Sequence, residues 1–267
     1  MGDPTVRKGG HKHKRGPMIQ IVGIVPARYH STRLEGKALA DLEGHPMIWW
    51  VYSRATQSKQ LNRVLVATDD ERIAEAVRER GGEVAMTRTD HVSGTDRVAE
   101  AARKLDLSEE DVVINVQGDE PLLDPRAIDL LSETMREDDR VDMATLIHPL
   151  KSAEEHHNPN VTKVVMDRDG WALYFSRSPI PYQRNEGCSL YRHIGIYGYR
   201  FGFLSRLVNE PPTPLERTEA LEQLRALEMG HRIKVVETTY VSVGVDTFGD
   251  LERVRKTIRE RGLSPNS

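Results

Sequence analysis

Apolar runs and turn signals alternate along the first 140 residues. Ile19–Val25 (IQIVGIV) is rich in β-branched residues and predicts a buried strand. Pro46–Ser58 has helical spacing, with a proline in its first turn. Arg63–Thr68 (RVLVAT) predicts a second strand, and Asp69 or Asp70 then caps a helix over Glu71–Arg80 that stops at Gly81-Gly82. A short strand over Glu83–Met86 follows, then a helix over Thr95–Leu105 with Val98, Ala101, Ala102 and Leu105 on one face. Asp111–Val116 (DVVINV) predicts a fourth strand and Pro125–Arg136 another helix. Strands alternating with helices imply crossover connections and a mostly parallel sheet. Strands that are apolar throughout imply helices on both faces of that sheet.

The rhythm changes after residue 140. Val141–Ile147, Val161–Asp167, Trp171–Phe175 and His193–Arg200 are strand-like, and the turn signal Asp167-Arg-Asp-Gly170 predicts a hairpin between the middle two. A helix over Gly202–Val208, a proline-rich joint at 211–214 and one long helix over Leu215–Met229 come next. A last strand over Ile233–Thr238 and a closing helix over Phe248–Arg261 complete the pattern. The expectation is an α/β fold: a mostly parallel central sheet with helices on both faces, and a smaller antiparallel lobe inserted over 141–200. Residues 19–261 form one domain in this reading, and the basic, glycine-rich residues 1–18 a flexible extension.

Composition narrows the function classes. The chain has 267 residues, 38% hydrophobic and 30% charged, which suits a globular protein. A net charge of -3 gives no reason to propose a nucleic-acid partner. No apolar run reaches the length of a membrane span, so membrane insertion is not expected. The single cysteine, Cys188, excludes an intrachain disulfide and suits a reducing cytoplasm.

Ligands of open parallel sheets bind beyond the carboxyl ends of the strands. Four polar segments lie just past such ends: Pro26–Lys37 (PARYHSTRLEGK), Thr68–Asp70, Gln117–Pro121 (QGDEP) and Gly244–Asp246. The first is cationic through Arg28, Arg33 and Lys37; the others carry carboxylates. Cations and backbone N–H groups in a loop suit a polyphosphate. Neither a P-loop nor a dinucleotide fingerprint is present, because Gly36-Lys37 is followed by Ala38 and no G-x-G-x-x-G follows the first strand. Asp119 and Asp246 at strand ends suit Mg²⁺, which takes a few carboxylates plus substrate phosphates. Alone, Asp246 ahead of a helix reads more simply as its cap.

Taken together these segments resemble the 3-deoxy-manno-octulosonate cytidylyltransferase family. The resemblance rests on PARxxSTRLxGK at 26–37, Thr68-Asp69, MTRTDHVSGT at 86–95, NVQGDEP at 115–121, YFSR at 174–177, Ile180-Pro181, RHIGIYGY at 192–199, LEQL at 221–224 and GVDT at 244–247. It covers about residues 19–260 and, in register, is highly specific. Glu35 stands where the family usually has proline, and the segment 185–190 is shorter than in many members.

The resemblance implies a Rossmann-like nucleotidyltransferase. It joins CTP to 3-deoxy-D-manno-octulosonate (Kdo), releases pyrophosphate and supplies CMP-Kdo for lipopolysaccharide synthesis. It implies that Arg28 and Lys37 hold the triphosphate, and that Arg33, Ser93 and the backbone near Pro26 and Ala27 bind the nucleotide. Asp119 and Asp246 would hold Mg²⁺; Arg28, Lys37, Asp119 and Asp246 thus form the catalytic set. Gln117, Arg177, Arg184, His193, Tyr197, Glu222 and Gln223 would receive the sugar acid, with Arg177 at its carboxylate. It further implies a cytoplasmic homodimer. Two other readings stay open at this point: a silent nucleotide-binding or scaffold protein on the same fold, and a related transferase using a different nucleotide or sugar, such as a sialic-acid activator. From composition alone, Glu222 and Gln223 read as the solvated side of a helix, and His193 and Tyr197 as ordinary interior groups.

Overall fold

A computed structural model describes residues 19–30, 34–185, 187–241 and 243–266. In chain order the strands are β1 (Ile21–Ala27), β2 (Asp41–Leu42), β3 (His45–Pro46), β4 (Arg63–Thr68), β5 (Val84–Met86), β6 (Val112–Asn115), β7 (Met143–Pro149), β8 (Lys163–Met166), β9 (Ala172–Ser176), β10 (Tyr191–Arg200) and β11 (Ile233–Glu237). The helices are α1 (Met47–Ala55), α2 (Glu71–Arg78), α3 (Gly94–Arg103), α4 (Pro125–Glu137), α5 (Ala153–His157), α6 (Phe201–Leu207), α7 (Pro214–Glu219), α8 (Gln223–Glu228) and α9 (Phe248–Arg261).

The main sheet has the order β11-β7-β10-β6-β1-β4-β5. β6, β1, β4 and β5 pair in parallel, as do β7 and β11; β10 is antiparallel to both β6 and β7. One reversed strand therefore joins two parallel halves. Residues 141–200 do not stand apart from this sheet, since β7 and β10 run through its middle. Only the β8–β9 hairpin, turned at Asp167–Gly170, extends off its path. The inserted antiparallel lobe expected there is thus reduced to β8, β9, α5 and their loops.

Alternation along β1 explains the two-sided cover. Ile21 and Val25 point into one core with Ile48 and Val51 of α1 and Ile128 and Leu131 of α4. Val22 and Ile24 point into the other, with Val98 and Ala102 of α3 and Phe203 of α6. A third cluster packs α9, through Leu251, Val254 and Ile258, on Trp50 and Met47 of α1. Burying each large apolar side chain stabilises by about 1.5–3 kcal/mol.

Local chemistry sets the helix starts. Asp70 caps α2 by accepting from the Arg72 N–H, and Asp124 caps α4 ahead of Pro125. Ser93 and Asp96 form a reciprocal cap on α3. α9 is capped by Thr247 with Asp250, not by Asp246. The Asp246 carboxylate is directed at Lys37 instead.

The helix expected over Leu215–Met229 is broken. Ala220 sits in the left-handed region at φ 51°, between α7 and α8. The Leu221 N–H closes the first piece by donating to the Glu216 carbonyl, 3.2 Å away. Arg177 Nε and Nη2 take the carbonyls of Glu219 and Ala220 at 2.7 and 3.3 Å, so the break leaves those acceptors paired.

Candidate active site

The carboxyl ends of β1 and β6 open onto a cavity of about 420 Å³. Pro26 and Ala27 end β1 and line it, with exposed Arg28 immediately after them. The chain then turns back. Gly36, at φ 66°, donates its N–H to the Tyr29 carbonyl at 3.0 Å, and a single 3₁₀ turn over Lys37–Leu39 follows. A side chain is disfavoured at that φ. The turn aims Lys37 into the cavity.

Lys37 Nζ lies 2.8 Å from Asp119 Oδ2 and 3.3 Å from Asp246 Oδ1. Two carboxylates from distant parts of the chain thus converge on one cation. The Asp119 carbonyl also accepts from the Val245 N–H at 2.9 Å, which ties the two segments together. Gly118 allows the close approach of β6 to β1: a Cβ there would sit 2.3 Å from the Pro26 carbonyl oxygen. Among the described residues no cluster of three or more histidine, cysteine or carboxylate side chains could enclose a metal. Two convergent carboxylates fit a hard cation that completes its shell with phosphate oxygens and water, as Mg²⁺ does.

The far side of the cavity is built from the start of α3 and the loop before it. Arg97 is buried and donates to Asp69 Oδ2 at 3.0 Å and to Thr87 Oγ1 at 2.5 Å, just past β4 and β5. Ser93 and His91 lie beside it on the wall. His91 and Arg97 stand outside the sequence-derived set; the signal for His91 was the polar run TRTDHVSGT at 87–95, and Arg97, within the helix that follows, carries none.

A second cavity of about 270 Å³ adjoins the first. Pro26, Gly94, Gln117 and Glu222 line both, so the two meet along that seam. Gln117 Nε2 donates to the Gly195 carbonyl at 2.7 Å, and Glu222 Oε2 accepts from Thr95 Oγ1 at 2.6 Å. β10 supplies the back wall with His193, Tyr197 and Tyr199; the His193 ring tilts against Tyr197 at 5.2 Å and Tyr197 stacks on Tyr199 at 5.8 Å.

Burial sets the charge states here. It holds the His193 imidazole down to about 3, with a smaller contribution from Arg192, so the ring is neutral. Burial also pushes the phenols of Tyr197 and Tyr199 well above the usual tyrosine range. Thr145 Oγ1 lies 2.8 and 3.1 Å from the carbonyls of Ile196 and Ile194 and 3.0 Å from His193 Nε2. A hydroxyl has one hydrogen. With a carbonyl taking it, Nε2 is the protonated nitrogen and donates to Thr145. Two further wall residues, Asn115 and Gln223, each bury a polar atom that has no hydrogen-bonding partner in the protein, Oδ1 and Nε2 respectively. A hydroxyl-rich ligand would satisfy such groups.

Of the sequence-derived residues, Pro26, Ala27, Arg28, Lys37, Ser93, Asp119 and Asp246 meet in the first cavity, and His193, Tyr197 and Gln223 in the second, with Gln117 and Glu222 between them. Gln223 is buried and does not solvate a helix face. Arg177 and Arg184 line neither cavity. Arg177 directs its guanidinium at the backbone carbonyls of Glu219, Ala220 and Pro159. Arg184 is exposed on the loop after β9. Arg33 lies outside the described residues.

Comparison with known proteins places this arrangement. The family model described as cytidylyltransferase matches residues 22–233. The 3-deoxy-manno-octulosonate cytidylyltransferase of Geotalea daltonii is 48% identical over 91% of this chain and 100% of its own length. That of Fusobacterium nucleatum is 50% identical over 92% of this chain and 99% of its own. A solved CMP:2-keto-3-deoxy-manno-octonic acid synthetase complexed with CTP superposes with a TM-score of 0.87 at 45% identity, covering 91% of this chain and 99% of that one. The chain belongs to the cytidylyltransferase family and, within it, to the 3-deoxy-manno-octulosonate cytidylyltransferases.

Proposed function

We infer that this protein joins CTP to 3-deoxy-D-manno-octulosonate, giving CMP-Kdo and pyrophosphate, the activated sugar for lipopolysaccharide assembly. The observation that carries the reading is the pair of cavities meeting at Gln117 and Glu222. One is walled by cations and carboxylates, the other mostly by aromatic and amide groups together with Glu222 and Arg225. A triphosphate suits the first and a polyhydroxylated sugar acid the second. The seam is where an anomeric hydroxyl would face the α-phosphorus.

The step breaks the bond between the α-phosphorus and the pyrophosphate oxygen and forms one to the sugar oxygen, with loss of the hydroxyl proton. Such transfers depend on positioning and charge neutralisation more than on covalent chemistry. Arg28 and Lys37 offset the charge that develops on the leaving pyrophosphate. Asp119 and Asp246 would hold Mg²⁺, which when bound polarises the phosphoryl oxygens and acidifies the attacking hydroxyl. Lys37 bridges these two carboxylates and limits their mutual repulsion. The neutral His193, Tyr197, Gln117 and Gln223 bind hydroxyls, and the Gln117 bond to Gly195 fixes its amide at the seam. Ser93 and the strand end at Pro26 and Ala27 border the nucleotide.

The same reading makes the chain a cytoplasmic homodimer joined through residues 141–200. Exposed Leu173 and Tyr182 in that segment support a contact there, and light scattering tests it: a stable monomer counts against the dimer. No described helix is long and apolar enough to cross a membrane. The activity itself is tested by pyrophosphate release from CTP and Mg²⁺ with and without the octulosonate. Release only with both substrates is expected. CTP binding without release would point to a different sugar acid, such as the 8-amino analogue.

A further inference from the structure

Tyr29 follows Arg28 directly, and its carbonyl accepts from the N–H of Gly36, the residue before Lys37, at 3.0 Å. The two cations assigned to the triphosphate therefore flank one backbone hydrogen bond. The Tyr29 ring lies against the same glycine: a Cβ at Gly36 would be 3.3 Å from its Cε2, Cζ and hydroxyl oxygen. The ring is half-buried and packs on the edge of the core that β1 shares with α1.

Arg72 covers this ring. Its guanidinium carbon is 3.3 Å from the ring centre, a cation–π contact. The guanidinium is itself fixed as a fork on Asp70, with Nε 3.0 Å from Oδ1 and Nη2 2.7 Å from Oδ2. Asp70 in turn caps α2, and its N–H donates to the hydroxyl of buried Thr68, 3.2 Å away at the end of β4. The hydrogen bonds to Asp70 foremost, then weaker attraction from Tyr29 and Glu35, raise the Arg72 guanidinium above its ordinary value. The carboxylate at 35 thus adds to the hold on this arginine. Neither Tyr29 nor Arg72 lines the cavity.

We propose that Tyr29 and Arg72 are positioning residues for the triphosphate: the stacked pair latches the segment between Arg28 and Lys37 to the start of α2 and so sets the spacing of those two cations. This rests on the nucleotide reading above and adds what holds its phosphate end in shape. Ordering a loop at the moment of binding costs affinity, and a loop held beforehand avoids part of that cost. The latch needs an aromatic face at 29 and a guanidinium at 72. It does not need the Tyr29 hydroxyl, and Arg72 does not touch the phosphates. Gly36 completes it, because a side chain there would push the ring aside.

The test is a double-mutant cycle on the full chain. The KM for CTP, the KM for the octulosonate and kcat are read from pyrophosphate release with Mg²⁺, and CTP affinity from calorimetry. Arg72→Ala and Tyr29→Leu are each expected to raise the KM for CTP by about two- to fivefold, the worth of an exposed cation–π contact, and to leave the KM for the octulosonate unchanged. Tyr29→Phe should keep the wild-type value, and Arg72→Lys should recover part of it. Combining Tyr29→Leu with Arg72→Ala should be no worse than Tyr29→Leu alone, since Arg72 acts through the ring. Circular dichroism and thermal unfolding establish that each variant is folded. Effects that add in the double variant would make Arg72 a direct or long-range partner of the phosphates and overturn the latch. So would a folded Arg72→Ala with the wild-type KM for CTP. Both results leave the nucleotide reading standing, whereas a wild type that neither binds nor turns over CTP overturns the two together.

Discussion

The guanidinium of Arg177 and the left-handed Ala220 form one unit: Nη2 donates to the Ala220 carbonyl at 3.3 Å while Nε takes the preceding carbonyl, that of Glu219, at 2.7 Å. The arrangement is closed from the other side. The Glu219 carboxylate accepts from Ser176 Oγ and the Arg177 N–H, and the buried Lys163 ammonium donates to the Arg177 carbonyl at 2.5 Å. Glu222 and Gln223 begin two residues beyond Ala220, so this unit fixes where they meet the second cavity.

Arg177→Ala is therefore expected to lower stability by about 0.5–1.5 kcal/mol, because the part-buried Glu219 carbonyl and the exposed Ala220 carbonyl lose their donor. It should also raise the KM for the sugar acid more than that for CTP. Arg177→Lys should recover little, since an ammonium does not reproduce the planar fork. Urea unfolding together with both KM values checks this. Weaker sugar-acid binding at unchanged stability would instead place Arg177 directly on the substrate.

Asp119→Asn and Asp246→Asn are each expected to reduce kcat by about a hundredfold or more while the fold survives, because an amide is a poor ligand for a hard cation. Chelation of divalent ions should abolish turnover of the wild type, and added Mg²⁺ restore it. Wild-type turnover in either variant would end the two-carboxylate assignment.

Gly118→Ala tests the approach of the two strand ends. The new methyl would meet the Pro26 carbonyl oxygen at 2.3 Å, a contact that backbone must move to relieve. The expected result is a loss of turnover out of proportion to the loss of stability, since Asp119 and Gln117 flank the displaced residue. Steady-state kinetics set beside thermal unfolding reads the difference.

His193 gives stability an acid dependence. In the unfolded chain a histidine takes a proton near pH 6.5, whereas in the fold it does so only near 3. Between those values the unfolded state binds the extra proton. Stability attributable to this group is thus intact above about pH 6.5 and declines as pH falls, up to roughly tenfold in the folding constant per pH unit. Denaturant midpoints from about pH 7 to about pH 5 should fall less steeply in His193→Gln than in the wild type; equal slopes would remove the assignment.

Much of this was legible in the sequence where the cause is local. The parallel strands and their polar ends follow from β-branched runs and turn residues, and α9 has the bounds its pattern predicts. The break at Ala220 was not legible. Neither glycine nor proline marks it, and the residue that stabilises it, Arg177, is 43 positions away. The insertion of β10 between β6 and β7 is likewise hidden, because alternation along Tyr191–Arg200 does not name a partner. Asp246 looked like a cap until Thr247 took that position. The stack of Arg72 on Tyr29 joins a helix start to a loop and leaves no periodic trace.

The reversed strand has a consequence for how the molecule is made. During synthesis β1, β4, β5 and β6 can assemble early, but β6 keeps an unpaired edge until residues 191–200 arrive. Closing that edge joins two half-sheets and, in the same event, brings His193 and Tyr197 to the wall opposite Gln117. Assembly of the second cavity therefore waits on a highly non-local pairing, with Tyr197 opposite Asn115, a contact of the kind that slows folding. A chain interrupted before residue 191 would present a sticky parallel half-sheet with a nucleotide cavity only partly walled, and a natural target for chaperones or proteases.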